Sequence, residues 1–264
     1  MTLRFAANLN FLFTEASASI AEKICKAHKH GFKSVEIPYP KNETEEVVQA
    51  TNDTGICVSL INISLNTTCD EFKFGTTSIP GAEKLFEEQL DETIQIAKLV
   101  HCKKIHLMAG IIGNGPSKEH FKVFTSNLKI AADSLKQHNM VGLIEPINKY
   151  AIPNYFLDSY EKAAVAIQEV CSDNIKLMMD FYHLQHIRGN VTNALEEYKP
   201  NIGHFQIAQV PSRNEPDTRG ELNFGYIFEM LSEFDYDDWI GCEYKPKSTT
   251  TEGLKWISKY GLKL

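Results

Sequence analysis

Residues 141–146 read VGLIEP, a short apolar run that stops at Glu145 and is broken by Pro146. A run this short, closed by a residue without an N–H, marks a buried strand rather than a helix. The figure returns towards the C-terminus in Ile175–Asp180 (IKLMMD), Ile202–Ile207 (IGHFQI) and Trp239–Glu243 (WIGCE). Between these runs lie segments of helical period: Ser159 to Val170, Thr192 to Tyr198 (closed by Pro200) and Phe224 to Phe234. Thr249 to Tyr260 follows as a last helix. Strand-like runs alternating with helices predict a parallel sheet joined by crossover helices.

Towards the N-terminus the alternation continues. Strands are predicted over Leu3–Asn8, Ser34–Ile37, Cys57–Ile63 and Lys104–Met108. Helices are predicted from Ser17 to His30, Thr44 to Thr54, Ala82 to Val100, and from a Ser117 N-cap to His138. Gly31 and Gly55 end two of these helices, and a loop rich in Thr, Gly and Pro runs from Asn66 to Gly81. Eight strands in 264 residues, without a linker or composition shift, fit a single (β/α)8 TIM barrel, which typically takes ~250 residues. A doubly wound sheet often carries a Gly-rich phosphate turn after its first strand. Here that turn is NLNFLFT, Asn8 to Thr14, with no glycine. The expectation is one barrel domain over residues 1–264.

A net charge of −7 argues against nucleic acid or an anionic membrane as the partner, because both select a basic surface. A small anionic substrate remains compatible, since it needs only one or two local cations. The six cysteines form no CxxC pair and read as reduced thiols. No signal peptide or membrane span is legible, so a cytoplasmic protein is expected. Oligomeric state is left open, a homo-oligomer included.

In such barrels chemistry sits where strands end and βα loops begin. Glu145, Asp180, Gln206 and Glu243 stand at the ends of the last four strands, each after an apolar run. A lone carboxylate there is usually a turn former or helix cap. On four successive strands the set aims three carboxylates and an amide at one mouth. Carboxylates so gathered repel one another unless a cation lies between them, and an all-oxygen donor set suits Mg²⁺ or Mn²⁺ better than zinc. His183, three residues past Asp180, is placed to hydrogen-bond substrate oxygens. Arg213, just after the seventh strand, is placed to hold a substrate carboxylate; Lys245 points to the same region. His106 reads equally as a core or a site residue, and His204 lies one layer deeper than Gln206. No HExxH and no nucleophilic Ser or Cys motif is present.

At these residues the chain resembles the hydroxypyruvate isomerases, within the xylose-isomerase-like barrels that also include ketose 3-epimerases. The resemblance runs from Arg4-Phe-Ala-Ala-Asn-Leu9 through His106-Leu-Met-Ala-Gly110, Glu145-Pro-Ile-Asn148 and Gly203-His-Phe-Gln206 to Gly241-Cys-Glu-Tyr244. It implies that Glu145 and Glu243 are the catalytic acid/base pair and that Asp180 and Gln206 join them around a divalent metal. It also implies that His183 and Arg213 contact the substrate. Gln at 206, where related epimerases usually have His, is the form similar to hydroxypyruvate isomerases. Ser212 and Arg188 depart from the commoner pattern in or near loops read as substrate-facing, which bears on substrate preference. The implied reaction interconverts hydroxypyruvate and 2-hydroxy-3-oxopropanoate through an enediolate, and the pattern leaves open whether turnover requires the metal. A sugar epimerase or ketose–aldose isomerase on the same site, or a silent metabolite-binding barrel, are the alternatives.

Overall fold

The structure, a computed structural model, describes residues 2–65, 69, 71–113, 118–234 and 236–264. Eight parallel strands close a barrel in sequence order. They are β1 (Arg4–Asn8), β2 (Ser34–Ile37), β3 (Cys57–Asn62), β4 (Lys104–His106), β5 (Val141–Ile144), β6 (Ile175–Asp180), β7 (Ile202–Ile207) and β8 (Trp239–Cys242). Closure runs from Arg4 opposite Trp239 to Ala7 opposite Cys242.

The helices are α1 (Ile20–Lys29), α2 (Thr44–Thr54), α3 (Glu83–Leu99), α4 (Lys118–Gln137), α5 (Tyr160–Val170), α6 (Phe181–Ile187), α7 (Val191–Tyr198), α8 (Phe224–Glu233), α9 (Thr250–Gly253) and α10 (Lys255–Lys259). Their starts are set by side chains that satisfy free N–H groups. Ser19 accepts from Glu22, Ser159 from Lys162 and Asn223 from Tyr226, each bond contributing about 1 kcal/mol. Gly55 ends α2 in the left-handed region that glycine enters freely.

The expected alternation is present, with three differences. β3, β4, β5 and β8 stop one or two residues short, so Glu145 and Glu243 lie just past their strands. Residues 181–187, read as a loop, form α6; its seven residues are too few to display a helical period. The last helix is split at Leu254 into α9 and α10. The Ser117 N-cap and residues 66–68 and 70 of the long loop lie outside the described residues.

The outer core packs helices on the barrel wall. Phe5 meets Trp256 edge-on at 5.2 Å, and the Trp256 indole donates to the Tyr244 hydroxyl at 3.0 Å. Inside the barrel the apolar filling is small, a cluster of Leu60, Leu143 and Met178. The lumen also holds Glu36 and His204, both buried. The long loop before α3 is strapped to the mouth: the Thr77 hydroxyl donates to the Met108 carbonyl at 2.8 Å and the Ser78 N–H to that of Ala109 at 2.9 Å. Gly75 permits this approach, because a Cβ there would lie 2.0 Å from the Met108 oxygen. No helix among the described residues is long and apolar enough to cross a membrane.

Candidate active site

Strands β5 to β8 deliver their terminal polar residues to one place because each has a parallel neighbour in register. Asp180 lies opposite Gln206, and Gln206 opposite Gly241, two residues before Glu243. Donor atoms of Glu145, Asp180, His183 and Glu243 all lie within 4.8 Å of one another. A cavity of about 300 Å³ opens above them, lined by Glu145, His183, Arg213, Glu243, His106 and apolar side chains including Phe11, Phe74 and Ile152.

Asp180 does two things. It caps α6 by accepting the Tyr182 N–H on Oδ1 at 2.8 Å, and its Oδ2 faces Arg213 Nη2 at 3.3 Å. Arg213 Nη2 also pairs with Glu243 Oε2, and its Nε donates to the Glu243 carbonyl at 3.2 Å. The rings of Phe11 and Tyr182 flank its guanidinium at 4.6 and 4.8 Å. Its Nη1 makes no hydrogen bond to another described residue, and Arg213 lines the cavity.

Glu145 is the least satisfied group. Its two oxygens lie 3.7 Å from His183 Nε2 and His106 Nε2, beyond hydrogen-bond distance, and Oε1 is buried without a partner among the described residues. Burial, then the neighbouring Glu243 and Asp180 charges, push its carboxyl well above the usual range. Burial likewise drives Glu243 up to about 8 against the opposing pull of Arg213, and raises Asp180 against the same arginine. Burial alone would lower Arg213, but Glu243, Asp180 and Glu145 more than reverse this and hold it as a cation.

His183 has its tautomer set by Asn148. The Asn148 backbone N–H, which can only donate, points at His183 Nδ1 at 3.1 Å. Burial, then Arg213, hold the ring well below its usual pKa and therefore neutral, so its one proton sits on Nε2, facing Glu145 and Asp180. A protonated Nε2 donates to oxygen and does not ligate a metal. His183 thus fits a contact to substrate rather than a cation ligand. Burial and the nearby His204 push His106 down to about 3, so it too is neutral.

Two buried oxygens without partners among the described residues, Glu145 Oε1 and Gln206 Oε1, mark where a further atom fits. With Asp180 and Glu243 they form an oxygen set of the kind that holds Mg²⁺ or Mn²⁺. The residues present therefore fit a divalent cation.

The structure thus brings Glu145, Asp180, His183 and Glu243 together, lines the cavity beside them with Arg213 and His106, and sets Gln206 opposite Asp180 on β7. Lys245 lies in the same region, its N–H donating to the Arg213 carbonyl at 2.6 Å, but its side chain is exposed and does not line the cavity. One expectation is corrected. Arg188 faces the outer helices, where Glu161, Glu197 and Tyr198 hold it, so it is not a substrate-loop residue. Sequence reading also passed over Glu36 and Asn8, which lie beneath the site and hydrogen-bond to Gln206 and Glu243. The signal was present in β2, SVEI, where a carboxylate interrupts a buried strand.

A model of the xylose isomerase-like TIM barrel family matches residues 24–260. A Drosophila melanogaster protein provisionally named a hydroxypyruvate isomerase is 59% identical over the full length of both chains. The Escherichia coli hydroxypyruvate isomerase is 35% identical, covering 98% of this chain and 99% of its own. Among solved structures, a Brucella melitensis protein carrying the name AP endonuclease, family 2, superposes with a TM-score of 0.93 at 32% identity over 98% of this chain and 99% of its own.

Proposed function

The chain belongs to the hydroxypyruvate isomerase family of xylose isomerase-like TIM barrels, and from that premise we propose that it interconverts hydroxypyruvate and 2-hydroxy-3-oxopropanoate. It is an isomerase by family. The observation that carries the substrate reading is the combination of a cavity-lining guanidinium, Arg213, with two glutamates whose carboxyls burial raises above the usual range.

Arg213 would hold the substrate carboxylate through Nη1, which fixes the three-carbon chain across the mouth. One glutamate takes the proton from C3, and the electron pair of that C–H bond becomes the C2–C3 double bond of an enediolate. The other returns a proton to C2. The hydroxyl proton at O3 moves to O2 in the same passage, so atoms and charge balance. Carboxyls pushed upward by burial are suited to this, since an efficient acid or base has a pKa near the working pH. His183 Nε2–H would donate to the oxygen on which negative charge develops. A divalent cation held by Glu145, Asp180, Gln206 and Glu243 would supply further stabilisation of that charge as a Lewis acid.

The test is isomerisation of hydroxypyruvate by metal-stripped protein in EDTA, and then with Mg²⁺ or Mn²⁺ restored. Product formation supports the reading, and the dependence on cation shows whether turnover requires it. Absence of product in every condition, with turnover of a neutral ketose instead, refutes the substrate and favours an epimerase or ketose–aldose isomerase.

A further inference from the structure

Glu36 has no part in the reaction as described, yet it is 1% exposed beneath the reacting groups. His204 Nε2 approaches its Oε1 at 2.5 Å, while Gln206 Nε2 and Asn8 Nδ2 both donate to its Oε2 at 2.8 Å. The carboxylate has little freedom to sit elsewhere, because it packs against Gly241, where a Cβ would come within 2.1 Å of Oε1.

These bonds fix directions. Lys104 Nζ, which can only donate, lies 3.2 Å from His204 Nδ1, so the His204 proton is on Nε2 and points at Glu36. Gln206 presents either an NH₂ group or an oxygen, and opposite a carboxylate oxygen only the NH₂ is tolerated. Glu36 therefore turns Nε2 of Gln206 towards itself and leaves Oε1 as the buried, partnerless atom on the strand beside Asp180. The second arm runs through Asn8, whose Nδ2 also reaches Glu243 Oε1 at 3.2 Å while its Oδ1 accepts the Asn10 N–H at 3.0 Å. Asn8 is thus held in one orientation and restrains Glu243 from below.

We propose that Glu36 is the positioning residue of the site, orienting the Gln206 amide directly and Glu243 through Asn8 so that their oxygens are presented to a divalent cation. The inference rests on the metal reading given above. A glutamine at 36 would have to place its own NH₂ against one of three donors. Gln206 could then settle in either orientation, and its oxygen would no longer be held away from position 36.

The experiment is calorimetric titration of Mn²⁺ into metal-stripped protein, for the wild type, Glu36→Gln, Gln206→Glu and the double variant, with thermal melts as a folding control. Glu36→Gln should weaken Mn²⁺ binding by about 10-fold or more, in line with the effect of groups that orient metal ligands. Its kcat should fall while KM for hydroxypyruvate, set by Arg213, changes little. In the double variant the amide and the carboxylate are exchanged between the two positions, which restores the Gln206 arm but leaves Asn8 facing an NH₂ group. Glu36→Gln should therefore weaken Mn²⁺ binding less in the Gln206→Glu background than in the wild type, a coupling that independent sites do not show. An unchanged Mn²⁺ affinity in Glu36→Gln, or an equal loss in both backgrounds, overturns the proposal. Wild-type protein that takes up no Mn²⁺ refutes the metal site itself, and this inference with it. Should Glu36→Gln fail to fold, Glu36→Asp serves in its place: the carboxylate stays but is drawn back by one methylene, so weakened binding supports the proposal and unaltered binding overturns it.

Discussion

Without metal, the protein should lose stability from about pH 6.5 towards pH 8, as follows from two opposed groups of buried side chains. The histidines act first. His106 titrates near 3 in the folded protein against 6.5 when free, and His183 and His204 are lowered too. For such depressed groups the unfolded chain binds more protons below pH 6.5, so stability rises with pH up to that point and then levels off. Glu243 behaves oppositely. Its folded value of about 8 exceeds the ordinary 4.5, so the folded state holds a proton that the unfolded state has released. The stability it contributes is fully present below 4.5 and is lost as pH rises through 8. Above pH 6.5 only the carboxylate effect remains. Over the last ~1.5 pH units, at about 1.4 kcal/mol per unit, it comes to roughly 2 kcal/mol, or a fall in Tm of about 4 °C for a chain of this length. Glu145, raised in the same direction, adds to the fall. Thermal melts in EDTA from about pH 5.5 to about pH 8.5 read this directly. Glu243→Gln should flatten the alkaline limb, and Mn²⁺ should abolish it by keeping the carboxylates ionised in the folded state. A metal-free Tm that is flat or rising above neutrality, or a fall that persists unchanged in Glu243→Gln, would refute the reasoning.

Glu145→Gln and Glu243→Gln should each lower kcat by about 10³-fold or more, because a proton-transfer group contributes ~10²–10⁴ and these also hold the cation; near-wild-type turnover in either removes it from the mechanism. Arg213→Ala should raise KM for hydroxypyruvate by roughly 30-fold, from ~2 kcal/mol for a charge-assisted pair, with a smaller effect on a neutral ketose, and comparable losses on both would count against carboxylate binding. Gly241→Ala should destabilise the fold by about 3 kcal/mol, since the added methyl meets a buried carboxylate rather than a flexible chain end; urea titration gives the value, and a change below ~1 kcal/mol would show that Glu36 can move aside.

The barrel was legible because its period is local: each apolar run and each helix can be recognised within a dozen residues. The upper layer of the site was legible for the same reason, as Glu145, Asp180 and Glu243 follow directly on the runs that bury them. What lay beneath was not. Glu36 acquires its meaning from His204 and Gln206, 168 and 170 residues away, and nothing in SVEI announces those partners. The aim of Arg213 was equally hidden, for it depends on a left-handed backbone at that residue and on the rings of Phe11 and Tyr182. Helix α6 escaped notice because one and a half turns leave no period, and its cap, Asp180, was already spoken for as a site residue. Arg188 misled because a loop position says nothing about which side of the barrel wall the side chain takes.

Inside the barrel, tolerance to change should divide by sector rather than by depth. On the side of Leu60, Leu143 and Met178, volume-conserving exchanges ought to be absorbed with modest cost. Across the lumen, Asp238 holds Lys104 at 2.7 Å, Lys104 meets His204, and His204 meets Glu36. Viewed from outside, the Asp238–Lys104 pair, with Asp238 38% exposed, is a surface salt bridge of the sort worth ~0–1 kcal/mol. Its removal would nonetheless free the tautomer of a histidine that leans on the floor of the active site. A designer reshaping the closed end of this barrel would therefore be editing the chemistry at the open one.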